Sequence, residues 1–126
     1  MNTQTKSAPV TLEQQRAQFA WDCAKEGNAV AGDEYRNLAK AAPALIMNNG
    51  LMQTLAFYED KGKPHHKALA AQLRRWVMKR AGSNGQDPRF QPMMQALLGA
   101  TPADYRRATD EALLILRWTR QFAAAL

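Results

Sequence analysis

The side chains of this 126-residue sequence best placed to do chemistry are two adjacent histidines, one cysteine and a basic run late in the first two-thirds. His65 and His66 are the only histidines. Neighbours on a helix point about 100° apart, so the pair would chelate one ion poorly. A tetrahedral site needs three or four protein ligands, and no metal is expected; the two read as exposed residues at a helix start. Cys23 falls on an apolar helical stripe and reads as a small core residue, since a nucleophilic thiol needs exposure and positive surroundings. The sequence holds no P-loop, dinucleotide-binding glycine pattern or paired-cysteine motif. With no acid–base pair either, the chain is read as a non-enzyme without cofactor, and its catalytic residues as none.

The basic run is the strongest local feature. Lys61, Lys63, Lys67, Arg74, Arg75, Lys79 and Arg80 occur with no acid among them. On a helical wheel Leu69, Leu73, Trp76 and Val77 make one face, while Lys67, Arg74, Arg75 and Lys79 spread over the other. Such a strip can track phosphates with little base specificity. Arg106 and Arg117 extend it, although Asp110 between them weakens that part. No aromatic residue interleaves the exposed basics as in a single-strand stacking platform, so backbone contact is the expected mode.

Two charges stand where apolar residues are expected. Arg16 lies among Leu12, Ala20 and Cys23, and Glu111 among Leu114, Ile115 and Trp118. An unpaired buried charge is costly. Either both sit at a rim, with Arg16 snorkelling, or they form a bridge between the first and last helices. Leu114 and Trp118 lie off the main apolar arc of the last helix (Ala108, Ala112, Ile115, Leu116, Thr119). That helix is then either buried on two sides or offers this edge to a partner.

The elements that must position these residues are helices. Ala, Leu, Gln, Arg and Met dominate, β-branched residues are few, and no alternating strand pattern or repeat appears. The first helix is predicted over 12–26, with Thr11 and Gln14 as a capping box, ending at Gly27-Asn28. A second starts after Asp33 and carries Tyr35, Leu38 and Ala42. Pro43 predicts a kink or break before a short piece over 44–48. Asn49-Gly50 ends it sharply, and a third helix starts at Leu51. Gly62 and Pro64 separate it from a fourth over 65–79. After a flexible Gly82-Ser83-Asn84-Gly85 loop come a short helix over 92–98 and a last one from Thr101-Pro102 almost to Leu126. The fold class is all-α: a single compact bundle of about six helices over 11–126, behind a flexible tail over 1–10.

Composition agrees. Hydrophobic residues make up 46% of the chain, as in a folded domain, and the net charge of +6 favours polyanionic partners. One cysteine excludes an internal disulfide and fits a reducing compartment. With no signal peptide or long apolar span, the chain reads as cytoplasmic, without membrane contact.

Several segments, in order, carry a family resemblance: Leu12-Glu13-Gln14-Gln15-Arg16-Ala17, Tyr35, Pro43-x-Leu45-Ile46-x-x-Asn49-Gly50-Leu51, Leu55-Ala56-Phe57, Lys61, Trp76, Tyr105-x-x-x-Thr109-x-Glu111-x-Leu113 and Trp118. Together they resemble the small α-helical subunit of the type III-B CRISPR effector, the Cmr complex of antiviral defence. Asn-Gly-Leu-x-x-x-Leu-Ala-Phe is the most telling part, and the Gly82–Pro88 loop matches nothing in the pattern. The resemblance implies a non-catalytic bundle, several copies of which stack in a minor filament beside the large polymerase-like subunit. It also implies contact with guide and target RNA through the backbone, chiefly of the target strand, with sequence reading left to guide pairing. Two other readings stay open: a stand-alone DNA-binding helical protein, its helix–Gly–helix turn serving as a helix-turn-helix, and an adaptor whose basic face is incidental.

Overall fold

A computed structural model describes residues 10–80 and 88–126. Among these, five helices and no strand are formed: α1 (Leu12–Asn49), α2 (Leu51–Lys61), α3 (Pro64–Arg80), α4 (Phe90–Leu98) and α5 (Pro102–Ala125). The expected tail over 1–10, apart from Val10, and the Gly82–Pro88 loop, apart from Pro88, lie outside the described residues.

The difference from about six helices lies in α1, where the first two expected helices are one element bent at Gly32 (φ 52°, ψ −124°). The predicted stop at Gly27-Asn28 does not occur. Gly27 is buried within the first limb (12–31), and a Cβ there would come within 2.1–2.3 Å of three carbons of the Tyr35 ring. Its missing side chain thus serves a close approach, while Gly32 supplies the positive φ at the bend. Asn28 ties this limb to α5, donating from Nδ2 to the Ala123 carbonyl at 3.1 Å. Pro43 does not break the second limb (33–49), which stays helical through it. Ala39, Ala42 and Ile46 are buried against the rest of the bundle, and such packing outweighs the lost backbone hydrogen bond.

Local signals set the other ends. Thr11 and Gln14 close the capping box at 3.1 and 2.8 Å. Gly50 takes φ 90° and donates its N–H to the Ile46 carbonyl at 2.7 Å. Its carbonyl accepts from Thr54 N–H and Oγ1, and Tyr105 Oη accepts from Met52 N–H, the latter at 3.1 Å. The corner is thereby tied to the start of α5. Gly62 adopts the left-handed conformation after α2 (φ 64°, ψ 12°). Thr101 caps α5 by accepting from Asp104 N–H.

The last helix is central, packing on both limbs of α1 and on α3. Tyr35, Tyr58 and Trp76 are the largest wholly buried side chains. A polar network joins both limbs to α3: Tyr35 Oη donates to Gln72 Oε1 at 2.6 Å, and Gln72 Nε2 donates to the Cys23 carbonyl at 3.0 Å and to Glu26 Oε1 at 2.8 Å. Tyr35→Phe should therefore lower stability by about 1–2 kcal/mol, because the buried Gln72 oxygen loses its donor. A lower urea midpoint with unchanged m-value would register this; an unchanged midpoint would sink it.

Candidate nucleic-acid interface

The basic residues do not form one free strip. Lys61, Lys63, Lys67, Arg75, Lys79 and Arg80 are exposed, but Arg74 is not. Its side chain is 14% exposed, donates from Nε to the Pro88 carbonyl at 2.8 Å and stands 3.8 Å from Glu59 Oε1. Burial pulls its pKa below the ordinary arginine value, with Glu59 opposing. Arg75 Nη2 lies 3.5 Å from Glu26 Oε1, and its guanidinium sits over the Phe19 ring. The segment lacks acids of its own, but α1 and α2 bring two carboxylates to its middle. Among the described residues, Lys61, Lys63, Lys67, Lys79 and Arg80 form no ion pair. Lys61 lies over Phe57 and Lys79 over Trp76.

The exposed charge therefore falls into two groups about 18 Å apart along α3, from Lys67 to Lys79 at 1.5 Å per residue. Lys61, Lys63 and Lys67 surround the N-terminus of α3, where the helix dipole also favours anions. Lys79 and Arg80 close its last turn. The field at the first group is visible in His66. Burial lowers its pKa, and His65, Lys61 and Lys63 lower it further, against Glu34. His66 is buried rather than exposed, its ring 5.6 Å from Tyr58 and 4.2 Å from His65. No cluster of three or more metal-ligating side chains occurs among the described residues. Cys23 is buried, and burial pushes its thiol up to about 12, with Arg75 opposing; it is protonated at neutral pH.

Arg16 and Glu111 are brought together across the bundle. Arg16 donates from Nε to Glu111 Oε1 at 3.1 Å and from Nη2 to Oε2 at 2.6 Å. Trp76 Nε1 donates to the same Oε1 at 2.9 Å. This ties α1, α3 and α5 just beneath Lys79. Trp118 is half-buried, packs against the core and lies 5.5 Å from the Phe122 ring, whereas Leu114 lines a groove facing the second limb of α1. Arg117 lines that same groove rather than extending the α3 strip. Sequence reasoning missed Gln72 and Glu26, whose partners come from distant helices; the signal was a glutamine inside the apolar face of a basic helix. It also missed Trp21 of α1, which lines a groove with Phe19 and Lys79.

The sequence matches the family described as CRISPR-associated protein (Cas_Cmr5) over residues 12–126. It is 33% identical over 117 residues to the CRISPR system Cmr subunit Cmr5 of Thermus thermophilus, covering 92% of this chain and 96% of that protein. The fold is similar to the crystal structure of a CRISPR-associated Cmr5 family protein from the same organism, with a TM-score of 0.75 and 33% identity. That match covers 94% of this chain and 98% of the other.

Proposed function

Because the chain belongs to the Cas_Cmr5 family of CRISPR-associated proteins, we propose that it is a non-catalytic small subunit of a type III-B Cmr effector, stacked in copies as a minor filament beside the large polymerase-like subunit and touching guide and target RNA through their backbones. The observation that carries the RNA contact is the exposed group Lys61, Lys63 and Lys67 around the α3 N-terminus. Three unpaired ammonium groups beside a helix N-terminus bind phosphate without reading sequence, which suits an assembly where base pairing supplies specificity. Lys79 and Arg80 are the second contact group. Arg74 belongs to the fold, and Arg75 is partly neutralised by Glu26. The helix-turn-helix reading gains nothing from α2: Leu51, Thr54, Leu55 and Tyr58 are buried, and its exposed residues, Gln53, Ala56, Phe57, Glu59, Asp60 and Lys61, include few groups able to read base edges. No helix among the described residues is long and apolar enough to cross a membrane, and the site of action proposed is the cytoplasm.

Co-expression with the other effector subunits and guide RNA, followed by native mass spectrometry, tests this reading. Incorporation in several copies is expected; exclusion from a complex that otherwise assembles would overturn it. In the assembled complex, replacing Lys61, Lys63 and Lys67 by Gln should flatten the salt dependence of target-RNA binding by about 2 in log–log slope for each bound copy, at about 0.7 per phosphate contact on a single strand. An unchanged slope would remove these lysines from the interface.

A further inference from the structure

On the basis that the chain works inside a multi-subunit assembly, we propose that the groove between the second limb of α1 and α5 docks an acidic, amphipathic helix of a different subunit. The groove encloses about 550 Å³ and is lined by Pro43, Met47, Leu113, Leu114, Arg117 and Arg120. Met47 is 74% exposed and continuous with half-buried Pro43, Leu113 and Leu114 in one apolar patch, and it is contiguous patches that mark interaction surfaces. Arg117 and Arg120 are exposed and form no ion pair among the described residues. Lys40, one turn before Pro43, is exposed as well. No acid occurs in residues 40–47 or 113–121, and the nearest on α5 is Asp110, one turn before Leu113. The groove is an apolar floor whose charged lining residues, Arg117 and Arg120, are both basic. Such a face complements a helix with an apolar stripe and flanking carboxylates.

Size and chemistry narrow the occupant. From Leu113 to Gln121 the lining runs about 12 Å along α5, two turns of a docked helix with anchors at i, i+3 or i+4, and i+7. The floor is aliphatic and thioether, which adapts to packed side chains but offers no ring on which a base could stack; this favours protein over RNA. A second copy of the chain is a poor fit. In a second copy, the helices that combine acids with exposed large apolar residues are α1 and α2. In α1, Trp21 packs on Phe122 and Glu26 is held by Gln72 and Arg75. In α2, Glu59 already faces Arg74 and Lys61 lies over Phe57. The copy's net charge of +6 also opposes a basic rim.

The test is binding of the purified chain to effector complex assembled without it, followed by biolayer interferometry. The double variant Arg117→Glu/Arg120→Glu should slow association about tenfold at low salt and flatten its salt dependence, as rim charges do. Met47→Asp should speed dissociation about tenfold, since apolar anchors act on the off-rate. All three positions are exposed, so melting temperatures should stay at the wild-type value. A photo-crosslinker at position 47 in the assembled complex should capture an acidic helical peptide of another subunit. Capture of RNA or of a second copy, or wild-type kinetics in both variants, would overturn the docking inference alone. Failure of the wild-type chain to bind the complex would overturn the assembly reading along with it.

Discussion

Gly27→Ala should destabilise the bundle by about 3 kcal/mol, although the same change in an exposed helix interior would stabilise it by about 1 kcal/mol. The reversal comes from Tyr35. Its ring occupies the space a Cβ would need, is wholly buried, and has its hydroxyl held by Gln72 at 2.6 Å and the Cys23 carbonyl at 3.2 Å. An added methyl must push the ring away. Overpacking costs about 1–3 kcal/mol, and separating Tyr35 from Gln72 adds about 1–3 kcal/mol for buried polar groups left unpaired. The helix-propensity gain offsets only part of this. Chemical denaturation would measure the loss, and a double-mutant cycle with Tyr35→Ala isolates its cause. With the ring removed, Gly27→Ala should become neutral or stabilising. A loss that persists in the Tyr35→Ala background would show that the close approach is not the reason for the glycine.

Gly27 also marks the limit of what could be read in the sequence. Signals closed within four residues were legible: the Thr11–Gln14 box, the positive-φ turns at Gly50 and Gly62, and the Thr101-Pro102 start of α5. Gly27 and Gly32 look alike locally, and both can end a helix. Which of them bends the chain is decided by Tyr35 folding back onto the first limb, a contact between residues 27 and 35 that exists only once the bend is made. Pro43 fails as a break for a related reason, because the packing of Ala39, Ala42 and Ile46 belongs to the tertiary fold. The all-α class survives both errors; only the helix count changes.

The candidate interface was legible in kind but not in detail. Charge in a sequence segment is visible, whereas its counter-charges come from other helices. Glu26 and Glu59 lie 49 and 15 positions before Arg75 and Arg74, respectively. Pairing at those distances depends on how α1 and α2 pack against α3. The result is a division of labour along α3. Lysines at its start stay free, the two central arginines are engaged with the fold, and Lys79 and Arg80 close the end. Arg16 and Glu111 were recognisable as charges out of place, since a charge on an apolar stripe requires either a rim or a partner.

Replacing that partner is expected to have the second large effect. Glu111→Ala should cost about 3 kcal/mol, at the lower end of what breaking a buried ion pair costs, because the Arg16 and Glu111 side chains retain 15% and 13% exposure. The truncation leaves the Arg16 guanidinium and the Trp76 N–H without their shared acceptor. A melting-temperature drop of about 10 °C should follow for a domain of this size. Removing both charges with Arg16→Met/Glu111→Leu should recover most of the loss, since apolar replacement of a whole pair is often neutral or better. The pair also gives the fold an acid dependence. Burial pushes the Glu111 pKa up, but hydrogen bonds from Arg16 and Trp76 and the Arg16 charge outweigh it and hold the carboxyl below its ordinary value. A depressed carboxylate contributes fully above its unfolded pKa, about 4.3, and loses that contribution as pH falls through the folded value. Calorimetry from pH 7 to pH 3 should therefore show the wild-type advantage over Glu111→Gln constant down to about pH 4.5, then shrinking. A gap that stays constant to pH 3 would mean that the ionised carboxylate is not what Arg16 and Trp76 hold. The consequence reaches the basic surface, because Trp76 carries Lys79 over its outer ring face while its N–H is fixed by Glu111. Loss of the pair would thus loosen the far group of exposed basic charges, Lys79 and Arg80, before the near group at Lys61, Lys63 and Lys67.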